Sequence, residues 1–197
     1  MGVSSTRHKP KKRHQNRTSE FCGIVLSLQI VDVKKSPLDE REARMLAEIE
    51  TYPRVREWDV DIHTEELRKM YLQFKEFLGR LPDDKDQIFL VAELNRKVVG
   101  FLGIHRKGKR MKHVGVVGVT VHPDYWRKVF GTRLLKAGIE CARREGFIRL
   151  EADTLAKNKA MRKIAEKLGF KLEGIRKMRV KMNKEYEDEA LLALVLM

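Results

Sequence analysis

Ten residues near the middle of the chain, His113 to His122, read HVGVVGVTVH. A strand with apolar side chains on both faces has to be covered on both faces, so this run predicts a central strand with a layer of structure on each side. Helices must therefore alternate with strands along the chain. Gly115 and Gly118 interrupt the run, and glycine inside a strand marks a bulge or the close approach of another molecule's backbone. The strand is thus expected to be opened for a ligand. A short connection, Pro123 to Phe130, leads into a helix from Gly131 to Glu145 that carries Leu134, Leu135, Gly138, Cys141 and Ala142 on one face. The start of that helix offers unpaired N–H groups and the positive end of a dipole, with Arg127, Lys128 and Arg133 adding charge. A diphosphate cradled by the amides of residues 127 to 132 fits this chemistry.

The flanking pattern fills in the rest. Ile24 to Val33 alternates as a first strand, Asp39 to Glu50 reads as a helix, and a second helix begins at a Thr64 N-cap with a stripe of Leu67, Met70, Tyr71, Phe74 and Phe77. Between the helices, Tyr52 to Ile62 is expected to be irregular, and its Trp58, Glu57, Asp59 and Asp61 are candidates for a substrate wall, although Trp58 also suits a residue that closes the core. Ile88 to Glu93 and Lys97 to His105 form a hairpin through Asn95-Arg96. Ile148 to Asp153 is a further strand, Asn158 to Leu168 a helix closed by Gly169, and the chain ends in a hairpin and the apolar run Ala190 to Met197. The expectation is an α/β fold: one domain over residues 23–197, with a mixed sheet of about seven strands, a splayed central strand and flanking helices.

Length and composition agree with one domain. The chain has 197 residues, 42% of them hydrophobic, and no apolar run approaches the roughly 18 to 20 residues needed to span a bilayer. No membrane contact is expected. Cys22 and Cys141 lack metal-ligand spacing and no secretory leader opens the chain, which points to the cytoplasm and to no bound metal. The formal charge of +14 calls for an anionic partner. Residues 1–22 carry Arg7, Lys9, Lys11, Lys12, Arg13 and Arg17 against Glu20 alone, and with almost no apolar residue they read as a disordered basic tail. Residues 7–17 suit contact with RNA or a ribosome, and a solubilising leader would look the same. The turn Arg106 to Lys112 holds five more basic residues and no acid.

Three separated motifs are more specific. Val121-His122-Pro123-Asp124-Tyr125, then Arg127-Lys128-Val129-Phe130-Gly131-Thr132, then Asn158 and Ala160 ahead of Glu166-Lys167-Leu168-Gly169-Phe170, resemble the GNAT superfamily of N-acetyltransferases. The resemblance covers roughly residues 24–197. The closing segment Asn183 to Glu189 looks like the branch that contains ribosomal-protein N-terminal, amino-acid and polyamine acetyltransferases. The resemblance implies acetyl-CoA as co-substrate, with Val119, Thr120 and Val121 pairing through their backbone with the pantetheine arm. It also implies that Arg127, Lys128, Val129, Phe130, Gly131 and Thr132 hold the pyrophosphate, and that Asn158 contacts the pantetheine near its reacting end. The acceptor would be a primary amine, and the molecule a monomer or homodimer.

Two residues depart from the family pattern. Its phosphate loop begins with Gln or Arg and has a glycine where Trp126 and Val129 stand, so Val129 either keeps an ordinary backbone or weakens cofactor binding. Ala165 stands where many relatives carry a tyrosine that protonates the departing thiolate. A thiol of pKa about 8.5 can leave without full protonation. The amine still needs a base, and the central strand offers none at Val116, Val117 or Val119. Glu93 and His113 are candidate bases, with His105 and Glu57 behind them, and Tyr186 is a candidate acid. A second reading is a weakly catalytic module of the same fold that binds RNA or a ribosome through its basic tail and loop.

Overall fold

Local sequence signals start and stop most of the elements. In a computed structural model, which describes residues 28–60, 66–182 and 184–197, Asp39 caps a helix, α1 (Glu40–Glu50), through a reciprocal box. The Asp39 carboxylate accepts from the Glu42 amide at 2.8 Å, and the Asp39 amide donates to the Glu42 carboxylate at 2.8 Å. The segment expected to be irregular contains a short helix, α2 (Pro53–Arg56), because Pro53 at its first position presets the helical φ. The next helix, α3 (Leu67–Arg80), begins after Glu66. Thr64, Asp61, the beginning of the first strand at Ile24 and the basic tail over residues 1–22 lie outside the described residues.

Seven strands form one mixed sheet: β1 (Leu28–Asp32), β2 (Gln87–Leu94), β3 (Lys97–Arg106), β4 (Val114–Val121), β5 (Arg149–Leu155), β6 (Lys171–Met182) and β7 (Glu185–Val195). Their order is β1-β2-β3-β4-β5-β7-β6, and only the β4–β5 pair is parallel. That pair is bridged by α4 (Phe130–Arg144), the crossover that parallel strands require. Between β5 and β6 lies α5 (Lys159–Lys167). The helices stop at Gly146 and Gly169, each with the positive φ that glycine adopts without strain. The terminal apolar run is uncharged because β7 lies inside the sheet, between β5 and β6.

The sheet is covered on both faces at its centre. On one side Leu90, Leu102, Ile104 and Leu150 pack with Leu134 and Leu135 of α4. On the other, Val91, Phe89 and Phe101 pack under α1 and α3, where Phe74 meets Phe101 and Phe77 meets Phe89 edge to face at 5.6 and 5.1 Å. The two apolar faces of β2 and β3 thus anchor one side of β4, while its other side depends on β5.

Candidate functional site

β4 and β5 start as neighbours and then part. Their pairing consists of Val114 with Arg149, Gly115 with Leu150 and Val116 with Glu151, yet β4 runs on to Val121 and β5 to Leu155. On its other edge β4 stays paired with β3 up to Val121 opposite Gly100. The direction of the backbone groups follows from two bonds: the Lys107 amide donates to the Val114 carbonyl, and the His122 amide to the Val99 carbonyl. Even-numbered residues of β4 therefore point their peptide groups at β3 and odd-numbered ones away from it; the Val116–Glu151 pairing takes up the Val117 amide, and the Val117 carbonyl, Val119 and Val121 point into the gap. Thr120, expected to pair through its backbone with a ligand, bonds towards β3 instead. An unpaired edge inside a sheet is a template for any extended chain carrying amides.

Of the two glycines expected to open the strand, only Gly118 lies in the opened half. A Cβ on Gly115 would come within 2.8 Å of the Ile104 side chain and 2.9 Å of the Phe147 ring, so this glycine serves packing in the paired half. Around Gly118 there is open space.

The open edge leads directly to the start of α4. A 3-10 turn, Pro123–Tyr125, brings the chain round, and the first turn of α4 has no side-chain cap. The amides of Phe130, Gly131 and Thr132 precede the first intrahelical bond, which runs from Arg133 to Val129. Val129 has φ −75° and ψ −8°, an ordinary helical backbone, and its side chain faces solvent with the residue 57% exposed. The left-handed residue of this connection is Arg127, φ 58°. Arg127 and Lys128 are exposed beside the helix end. Trp126 pins the turn locally, since its indole Nε1 donates to the Val121 carbonyl at 2.6 Å and its ring lies 5.0 Å from the Arg54 guanidinium. The bond to Val121 closes the upper end of the open edge, leaving the Val117 carbonyl, Val119 and the Val121 amide facing the gap.

α5 completes the enclosure. A Cβ on Gly131 would meet Ile164 of α5 at 3.8 Å and Val121 at 3.9 Å, so β4, α4 and α5 converge there. Asn158 is the N-cap of α5: its amide oxygen accepts from the Met161 amide at 3.1 Å, and its Nδ2 donates to the Thr154 hydroxyl at 3.2 Å. This ties the helix to the parted end of β5. The Nε of Arg162, also on α5, is buried with no acceptor among the described residues. Ala165 is wholly buried in the core and brings no proton donor.

On the opposite face of β5 from Leu150 and Ala152, alternation places Arg149, Glu151 and Asp153. Glu151 sits at the fork itself and accepts from Lys107 Nζ at 2.5 Å and Arg149 Nε at 2.8 Å, while Arg149 also reaches Glu173. Lys107 above all, with help from Arg149, holds the Glu151 carboxyl below the ordinary carboxylate range against the opposing effect of burial. Glu151 is therefore a fixed anion. A depressed folded pKa stabilises the fold above the unfolded value and loses that contribution as pH falls through the folded value. Glu151→Gln should lower unfolding free energy by about 1–2 kcal/mol at neutral pH, less than a fully buried pair because the site is partly solvated. The deficit should shrink below the ordinary value of 4.5, as denaturant melts across pH will show.

Asp153 stands one step past the fork, exposed, on the face shared with Gly118 and Thr120. It is the one ionisable side chain on the parted halves of the two strands, residues 117–121 and 152–155. Sequence reading missed it, because which residues of β5 lie beyond the fork depends on a register with β4 that no local pattern reveals.

Three of the five candidates named from sequence, Glu93, His113 and Tyr186, do not come together. Glu93 lines a small cavity with Gln29 and Glu42 on β1 and α1, with β3 between it and β4. His113 is exposed just before β4, at the end of the sheet away from the α4 N-terminus, and its carbonyl accepts from Ile148 and Arg149. Tyr186 is exposed on the β6–β7 hairpin.

Comparisons with known proteins bear on this geometry. The sequence model of the acetyltransferase (GNAT) family matches residues 52–170. Among solved structures, an acetyltransferase of the GNAT family from Streptococcus pneumoniae is 24% identical, with 87% of this chain and 100% of that one covered and a TM-score of 0.69. A phosphinothricin acetyltransferase from Sinorhizobium meliloti, solved in complex with acetyl-CoA, is 18% identical over 86% of this chain and 88% of that one, with a TM-score of 0.69. The ribosomal-protein-S5-alanine acetyltransferase from Vibrio fischeri is 16% identical over 91% and 97%, with a TM-score of 0.70.

Proposed function

The chain belongs to the GNAT family of acetyltransferases, and from that membership we propose that it moves an acetyl group from acetyl-CoA to a primary amine: a protein N-terminus, a lysine, a polyamine or a small metabolite. One juxtaposition carries the reading, the unpaired edge of β4 running straight into the uncapped N-terminus of α4. When bound, acetyl-CoA supplies an amide-bearing arm, a pyrophosphate and a thioester carbonyl. The residues present suit each part. The Val117 carbonyl, Val119 and the Val121 amide offer strand bonds to an arm, and the Phe130, Gly131 and Thr132 amides with Arg127 and Lys128 suit a pyrophosphate.

The chemistry asked of the protein is modest. The gap-facing amide of Val119 is placed to receive a developing oxyanion at no reorganisation cost. Asp153 takes the proton that an acceptor ammonium must lose before it can attack, directly or through a water. Asn158 acts by fixing the start of α5 against β5. Residues 23–197 would form the transferase unit, with residues 1–22 as a separable basic arm. The experiment is a screen of amine acceptors with radiolabelled acetyl-CoA. Label transferred to a primary amine supports the reading, and no transfer to any amine class, beside measurable acetyl-CoA binding, would reduce the protein to a cofactor-binding module.

A further inference from the structure

The strongest unassigned feature lies at the other end of α4, about 20 Å from its N-terminus by the rise of a 15-residue helix. There the turn between β3 and β4 meets the turn between α4 and β5. Arg106 joins them: one guanidinium nitrogen donates to the Lys112 carbonyl at 2.5 Å, another to the Glu145 carbonyl at 2.9 Å, and the group lies 3.8 Å from the Phe147 ring. The Ile148 amide adds a bond to the His113 carbonyl. This bracing sets the turn that carries Lys109, Arg110 and Lys112 beside the helix end that carries Arg143 and Arg144, and all five are exposed. None of the five is in an ion pair among the described residues, and no acidic residue occurs between Arg106 and Asp124. The acids nearby are Glu140 and Glu145 on the helix side, Asp32, whose charge reaches Arg144, and Asp86, which pairs with Arg106 at 3.5 Å. Lys109 is held at φ 56°, a left-handed backbone that a residue with a side chain adopts at a cost.

We propose that this surface binds the phosphate backbone of RNA. Three of its five cations are arginines, whose planar forks match phosphate oxygens in pairs. The surface consists of two turns and a helix end, with no helix or ribbon standing out lengthwise to enter the major groove of B-form DNA. A shallow cationic surface reaches phosphates without insertion, the mode left to proteins by RNA helices, whose deep and narrow major groove side chains cannot read. Membrane insertion is poorly served, since the exposed apolar side chains here are only Met111 and Ile148. Because the surface stands apart from the fork and the start of α4, it can be occupied during acetyl transfer, and the proposal does not depend on that reading.

The test is fluorescence anisotropy of a labelled 20-nucleotide RNA with the full chain and with Lys109→Glu/Arg110→Glu/Lys112→Glu, across a salt series. The prediction is at least a tenfold loss of affinity at 0.1 M salt, with the slope of log affinity against log salt falling by about 2 to 3, as expected for three lost phosphate contacts. Lys112→Glu alone, whose side chain makes no bond that braces the loop, should lose a smaller share in the same direction and guards against misfolding of the triple variant. Unchanged affinity and slope in both variants would place all RNA binding elsewhere and overturn the proposal. Equal binding of a DNA duplex of the same length, or preference for phosphatidylserine vesicles, would overturn the assignment to RNA.

Discussion

Asp153→Asn lowers turnover by about 10²- to 10⁴-fold at neutral pH, the range that general base catalysis contributes, while leaving acetyl-CoA affinity unchanged. An acceptor amine arrives as an ammonium and cannot attack until it loses a proton. The parted halves of β4 and β5 offer Asp153 as their one ionisable side chain. Glu151, two residues earlier on the same face, cannot stand in for it, because Lys107 and Arg149 hold it as an anion of low basicity. Glu189, on the same face, is buried between β5 and β6 and bonded to Arg176 at 2.9 Å. The deficit should narrow at high pH as the free amine forms unaided. Steady-state kinetics from pH 6 to 10 with an acceptor found by screening will check this, and full turnover in the variant at pH 7 would mean that the proton leaves by another route.

Val119→Pro should abolish most acetyl-CoA binding and cost about 10²- to 10³-fold in kcat/KM, the loss typical of one oxyanion donor. The Val119 amide points into the gap, so proline there removes a ligand-facing donor and no bond to β3. Its neighbour provides the contrast. The Thr120 amide bonds towards Phe101, and Thr120→Pro should destabilise the sheet by about 3 kcal/mol or more. Adjacent residues thus separate function from folding. Calorimetric titration and thermal melts on both variants distinguish them, and equal destabilisation by the two prolines would show that the alternation of backbone groups along β4 is misassigned.

The sequence carried the element order well because each element is locally signalled: Asp39 with Glu42 as a capping box, Gly146 and Gly169 as helix stops, the two-sided apolar run as β4. It carried the cofactor loop through its motif, yet placed the conformational difficulty at Val129. The left-handed residue is Arg127, in a turn that the Trp126 bond to Val121 holds, and Val129 keeps a helical backbone. The same limit hid the chemistry of the acceptor face. Glu151 and Asp153 alternate with Leu150 and Ala152 in the sequence, so their shared face was readable, but the point where β5 leaves β4 is a tertiary fact. Gly115 shows the converse error, a glycine assigned to a ligand that instead makes room for Ile104 and Phe147.

Hydrogen exchange of the full chain with and without acetyl-CoA tests the central claim, that the fork and the start of α4 form one cofactor site. Slowed exchange is expected at Val119 and Val121 and at Phe130, Gly131 and Thr132, with Thr120 unaffected because its amide is already bonded to β3 and Val117 unaffected because its amide is taken up by the pairing with β5. Exchange unchanged at both places, or protection confined to α1 and β1, would contradict it.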